Sequence, residues 1–164
     1  MPIEPWVGEA SIASWRRGVW TAGNPGSSPF FSNTIDYITI SSTGNAQDFG
    51  DLTTVLSGVG ACSNATRGLI GNGYTPTLSN IVQYVTIATT GNSTNFGNLT
   101  QSRRGAGACS SSTRGVWGGG YASPDSNTID YVTILTQGNA VDFGDLFNSA
   151  RRNIGGCSNA HGGL

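Results

Sequence analysis

The chain has 164 residues, the length of one domain, and 37% of them are hydrophobic, which suffices for a core. Only 10% are charged; all eight cationic side chains are arginine and nine acids bring the net charge to -1, so there is no electrostatic basis for wrapping nucleic acid or docking on anionic lipid. No apolar run reaches the eighteen residues of a membrane-spanning helix.

Residues 1–16 carry Glu4 and Glu9 and lack a basic stretch followed by an apolar core, so no secretion signal is expected. Within them GEASIASWRRGVW can be laid over GACSNATRGLI with Arg17 on Arg67, which predicts a degenerate strand at the N-terminus. From Arg17 onward the chain repeats itself three times, over 17–66, 67–113 and 114–164. The opening arginines Arg17, Arg67 and Arg114 lie 50 and 47 residues apart, and Cys62, Cys109 and Cys157 follow at 47 and 48. A fixed period of this size marks a propeller or solenoid, in which one unit buries its apolar faces only against copies of itself.

Each unit reads as four short strands. The first surrounds the cysteine, the second is RGVWGGG-like, the third is NTIDYVTI-like, and the fourth is shorter and centred on DFGDL. Between the second and third lie variable loops rich in Pro, Gly, Ser and Asn, at 24–33, 72–79 and 120–127. Between the third and fourth, Gly44, Gly91 and Gly138 suit a turn residue with positive φ. In the third strand Ile35 and Tyr37 point to one face while Ile38 and Ile40 point to the other, by the period of two. Both faces are apolar, so the sheet is expected to be covered on both sides, as a propeller blade is.

The stretch RRGAGACSSSTRGVWGGGYASPDSNTIDYVTILTQGNAVDFGDLFNSARR resembles a kelch repeat: an arginine-led strand, a strand closing in Gly119 and Gly120, Tyr131 after a variable loop, and Phe143 before a Leu and an Arg. It departs from kelch in having no aspartate and proline after Tyr131, and phenylalanine where tryptophan is usual. The wording RGVW, YVTI, TGNA and DFGDL is closer still to repeats in predicted virion structural proteins of tailed bacteriophages, especially those of marine bacteria, over residues 13–164. The resemblance implies an all-β chain of kelch-like β-propeller blades, three four-stranded repeats of about 47 residues, and a component of a phage particle.

Few residues suggest chemistry. Asp-Phe-Gly at 48–50 and 142–144 becomes Asn95-Phe96-Gly97 in the middle unit, which points to a turn after a buried aromatic rather than a magnesium motif. Asp36, Asp48 and Asp51 recur as Asp130, Asp142 and Asp145, yet the middle unit has Gln83, Asn95 and Asn98. Hydrogen-bond acceptors in turns survive that swap and a carboxylate metal site does not. The cysteines are read as reduced, small, buried residues on separate blades, and His161 is the lone histidine, so no metal, cofactor or enzymatic activity is expected. Arg17, Arg67 and Arg114 form a repeated set that either grips anions such as acidic sugars or bonds carbonyls and neighbouring blades; Arg103-Arg104 and Arg151-Arg152 form a second set, where the first unit has Leu56 and Ser57. Tyr74 and Tyr121 at the variable loops offer stacking surfaces for sugar rings, Trp20 and Trp117 read as blade core, and Trp6 and Trp15 as an oligomer anchor.

Three blades are too few to close a ring, so the ring is expected to be incomplete or completed by oligomerisation. Two functions follow. One is a virion structural component, assembled in the host cytoplasm and contacting other virion proteins and further copies of itself. The other is a receptor- or carbohydrate-binding module that holds a host surface glycan through its loops.

Overall fold

The computed structural model describes residues 17–159, and within them every regular element is a β-strand. The eleven strands are β1 (Arg17–Thr21), β2 (Ser32–Thr39), β3 (Gln47–Leu56), β4 (Gly60–Ser63), β5 (Arg67–Tyr74), β6 (Leu78–Thr86), β7 (Thr94–Asn98), β8 (Gly107–Ser110), β9 (Arg114–Gly118), β10 (Thr128–Thr133) and β11 (Val141–Asp145). They form three antiparallel sheets in sequence order, β1-β2-β3, β4-β5-β6-β7 and β8-β9-β10-β11. The sheets do not close on one another into a ring. The protein is therefore all-β, with short meanders as its units.

The register repeats with the sequence. Arg17 pairs with Thr39, Arg67 with Thr86 and Arg114 with Thr133, so the arginine-led strand always lies against the end of the NTIDYVTI strand. In each sheet the next strand carries one extra residue. Ile35 pairs with Gly50 and Asp36 with Asp48, leaving Phe49 as the bulge; Phe96 and Phe143 hold the same place in the other two sheets. Gly50, Gly97 and Gly144 follow at φ of 144°, 155° and 137°, a region that glycine occupies without penalty.

Several expectations change here. The strand predicted around Cys157 does not form a β-ladder; residues 151–159 are irregular, although Ser158 Oγ donates to Ser110 O (2.6 Å) just as Ser110 Oγ donates to Ser63 O (2.7 Å). The segment is held instead by single bonds, Gly120 N to Arg151 O, Arg151 N to Ser126 O and Asn153 N to Gly105 O. The fourth strand is not the shortest in the first sheet, where β3 runs ten residues and leads into Ser57, which bridges to Tyr74 of the second sheet. The degenerate strand before Arg17 lies outside the described residues, and the first sheet as described has three strands.

The core lies between sheets rather than within them. One cluster joins Ile35, Phe49, Leu52 and Leu56 of the first sheet to Ile70 and Val85 of the second. The other joins Leu69, Val82, Phe96 and Leu99 of the second to Trp117, Val132 and Ile134 of the third. We call the side that each sheet turns to the next its trailing face, and the side turned to the previous one its leading face. The middle sheet is covered on both, as the pattern of β6 predicts.

Candidate functional site

Two seams between sheets show what the recurring residues do. The bulge takes Phe49 O out of its own ladder, and Gly91 N of the next unit donates to it at 2.7 Å. Ser93 N donates to Asp51 O (2.8 Å), and Asp51 N donates back to Asn92 Oδ1 (2.9 Å). The second seam repeats the set: Gly138 N to Phe96 O (3.0 Å), Ala140 N to Asn98 O (2.8 Å), Asn98 N to Asn139 Oδ1 (3.1 Å). Each Gly-Asn turn thus fastens its sheet to the bulge of the one before. A Cβ on Gly50 would lie 2.5 Å from the Gly91 carbonyl, and one on Gly97 would collide with Gly138 O.

The first arginine set belongs to these seams. Arg17, Arg67 and Arg114 lie over the rings of Tyr37, Tyr84 and Tyr131 at 4.7, 4.6 and 4.6 Å. Arg17 then donates to Ile87 O (2.8 Å) and Arg67 to Ile134 O (2.9 Å), each in the following sheet. Arg114 is exposed and has no acceptor among the described residues. Two of the three are thus tied into the seams, and the bonds are to carbonyls, the second of the readings that the sequence left open.

A third bond type differs between the seams. At the first, Thr53 N and Oγ1 both donate to Gln83 Oε1 at 2.7 Å, and Leu56 is buried in the cluster that joins the two sheets. At the second, Thr100 Oγ1 donates to Asp130, and Arg103 takes the place of Leu56. Arg103 and Asp130 are both fully buried; Nη2 donates to Asp130 Oδ2 (2.8 Å) and Trp117 O (3.2 Å), and Nη1 to Thr128 O (2.8 Å). Burial holds the guanidinium below its ordinary pKa, against the pull of Asp130. The sequence treated Asp130 as a turn acceptor, and that is corrected: the turn role falls to Asp48 and Asp142, whose Oδ1 atoms accept from Gly50 N and Gly144 N at 3.2 and 3.1 Å.

The loop ends come together elsewhere. Phe31 meets Tyr74 with ring centroids 5.7 Å apart; Arg104 lies between Tyr74 (4.7 Å) and Tyr121 (5.5 Å); Arg152 covers the far side of Tyr121 at 4.8 Å. The result is a column along one end of the three sheets in which, from Tyr74 onward, aromatics and guanidiniums alternate. Tyr74 closes β5 while Arg67 opens it, seven steps of about 3.3 Å or roughly 23 Å away, so the first arginine set stands apart from this column. The arginines near the tyrosines are Arg104 and Arg152, and the latter also lies 3.6 Å from Asp125.

Among the other predicted residues, Trp117 is core as expected, with Nε1 donating to Gly60 O at 3.0 Å. Trp20 is not; it is 56% exposed, and among the described residues it has no counterpart of the sheet that covers Trp117. Trp6 and Trp15 lie outside the described residues. Cys62 and Cys109 are half-buried and Cys157 is exposed, which corrects the expectation of three buried thiols; all three are free. Burial pushes the Cys62 thiol up to about 12; a hydrogen bond with the Val116 backbone opposes that, and nearby Cys109 adds a little. Among the described residues no three His, Cys, Asp or Glu converge as metal ligands. A cleft of about 180 Å³ lies between Arg17, Val19 and Thr21 of β1 and Ala61, Cys62 and Ser63 of β4.

Exposure isolates two surfaces. Phe49 and Phe96 are 2% and 3% exposed, whereas the equivalent Phe143 is 56% exposed on the trailing face of the third sheet. Ile87 and Ile134 are buried, whereas Ile40 is 65% exposed on the leading face of the first. Fold and surfaces together define an all-β protein of tandem antiparallel sheets whose recurrent polar groups serve the junctions between sheets. No protein-family model matches the chain, and no curated protein matches it. No helix among the described residues is long and apolar enough to cross a membrane.

Proposed function

We propose that the chain is a non-enzymatic structural component of a tailed-bacteriophage particle, a tail, fibre or capsid-attached protein whose kelch-like blades act as a scaffold for protein–protein assembly. The observation that carries the assembly reading is the contrast in exposure among equivalent residues. Trp20, Ile40 and Phe143 stand bare where their counterparts are buried in seams, and isolated sheets with apolar faces call for a partner. The particle reading rests on the repeat wording RGVW, YVTI, TGNA and DFGDL.

A second reading, a carbohydrate-binding module, is favoured by the column of Tyr74, Arg104, Tyr121 and Arg152, since aromatic faces beside guanidiniums suit acidic sugars. Mass spectrometry of purified phage particles from the producing culture tests the scaffold: the chain is expected in the particles at a fixed ratio to the major capsid protein. Its presence only in the particle-free lysate overturns that reading. Glycan binding that disappears in Tyr121→Ala moves the column from a structural brace to a ligand site.

A further inference from the structure

The two bare faces are the two halves of a junction that this chain already makes twice. We propose that the partner is a second copy of the chain, joined head to tail, with the trailing face of one third sheet on the leading face of the other copy's first sheet. This inference rests on the scaffold reading and names its partner.

Each half of the junction is present in the right place. The trailing half offers the Phe143 bulge, with Asp145 two residues on, equivalent to Phe49 with Asp51 and Phe96 with Asn98. The leading half offers Gly44-Asn45, which matches in sequence the Gly91-Asn92 and Gly138-Asn139 turns that make the bonds at the two internal seams, although Gly44 does not share their positive φ. A Cβ on Gly144 would meet nothing within 4 Å, although Gly50 and Gly97 are crowded by the next turn. Arg114 is already stacked on Tyr131, and Ile40 carries the carbonyl equivalent to those that Arg17 and Arg67 reach. The apolar complement is present too, Phe143 on one side and Trp20 and Ile40 on the other.

Charge then selects the partner. At the internal seams the equivalent positions hold two buried neutral residues, Leu56 and Gln83, and then a bonded cation and anion, Arg103 and Asp130. The positions equivalent to Leu56 and Arg103 are fixed by the backbone: Gly23 N donates to Leu56 O, Gly73 N to Arg103 O, and Gly120 N to Arg151 O. The trailing end therefore presents Arg151, exposed and bonded only to its local carbonyls of Phe147 and Ser149. The leading end presents Asp36, half-exposed and without a hydrogen-bonding partner among the described residues. The threonine of the internal seams is replaced at this end by Phe147, so Arg151 is the group left to meet Asp36. A cationic end and an anionic end belong to the same chain, which makes two copies complementary. A head-to-tail contact closes when the rotation permits, and two copies of three sheets make six, within the four to eight that propellers use.

Complementary charge reversals test this with the full chain. Wild type is expected as a dimer near twice 16.9 kDa by light scattering. Asp36→Arg and Arg151→Asp are each expected to raise the dimer dissociation constant on the order of 100-fold. Mixed in equal amounts, the two variants are expected to recover a dimer containing one of each, because one junction keeps the native pair and the other carries it reversed. The neutral variants Asp36→Asn and Arg151→Gln, with melting curves recorded alongside, separate loss of the junction from loss of the fold. A monomeric wild type, a dimer that no variant weakens, or a mixture that fails to recover overturns the head-to-tail junction. None of these outcomes touches the scaffold reading, which stands or falls on the presence of the chain in particles.

Discussion

Arg103 occupies the place that Leu56 holds one repeat earlier, and the position equivalent to its partner Asp130 holds Gln83 there, so the two positions change together. Both solutions satisfy the same geometry. A threonine donates to the facing oxygen in each, and only the second puts charge in the core. Burying two ions costs about what their attraction returns, so the pair contributes little net stability, but stranding one partner costs about 3–5 kcal/mol. Arg103→Leu is therefore expected to destabilise the chain by that amount in urea unfolding. The double variant Arg103→Leu with Asp130→Gln copies the first seam and is expected to recover most of the loss, and a double-mutant cycle measures the coupling. The sequence displays both halves of this swap, since Leu56 is noted against Arg103 and Gln83 against Asp130. It does not display their link, which lies between successive sheets, 27 residues apart along the chain in the case of Arg103 and Asp130. Trp20 and Trp117 make the same point. Both sit in RGVW, yet one is exposed and the other buried, because the neighbouring sheet and not the local wording decides.

At the scale of the element, the sheet bulge is the device that makes sheets join. An unbroken ladder would use Phe49 O inside its own sheet; the extra residue turns that carbonyl outward, to Gly91 N. Gly97→Ala is expected to cost about 3 kcal/mol in chemical unfolding, because φ of 155° strains any side chain and the new Cβ collides with the Gly138 carbonyl. In chain diluted until it is monomeric, Gly144→Ala is expected to cost roughly 1 kcal/mol, the strain alone, since nothing faces it within the chain. Equal losses at the two sites would mean that the seam contact is not what makes Gly97 irreplaceable. Strand order, the positive-φ turns at Gly91 and Gly138 and the two-faced third strand were legible from period and turn chemistry, whereas Gly44 does not take the positive φ expected of it. The bulge was hidden, because an extra residue is visible only against its partner strand. The irregular course around Cys157 was hidden for a related reason: its wording matches that of β4 and β8, and a strand needs an edge on which to form.

In the whole molecule, stability is expected to rise toward the middle. The second sheet is covered on both faces, whereas the first and third each keep one side bare. Hydrogen exchange at low protein concentration is expected to show slowest exchange in β5 and β6, with β2 and β10 faster by at least an order of magnitude. Uniform protection across the three sheets would instead indicate one cooperative block. The 47-residue period made the array legible at once, while the function of its outer faces had no local motif to announce it; exposure at equivalent positions brings it out.

Arrays of near-identical units face a hazard during folding, since a unit can dock on the wrong neighbour or on that of another chain. The mismatched chemistry of the two internal seams guards against it. A first sheet that skipped the second and met the third would set Leu56 against the carboxylate of Asp130, with no cation to neutralise it, and a second sheet met by another second sheet would force Arg103 onto the amide of Gln83. Both of these dockings bury an uncompensated charge. The chemistry at these positions thus disfavours both misdockings as the chain assembles.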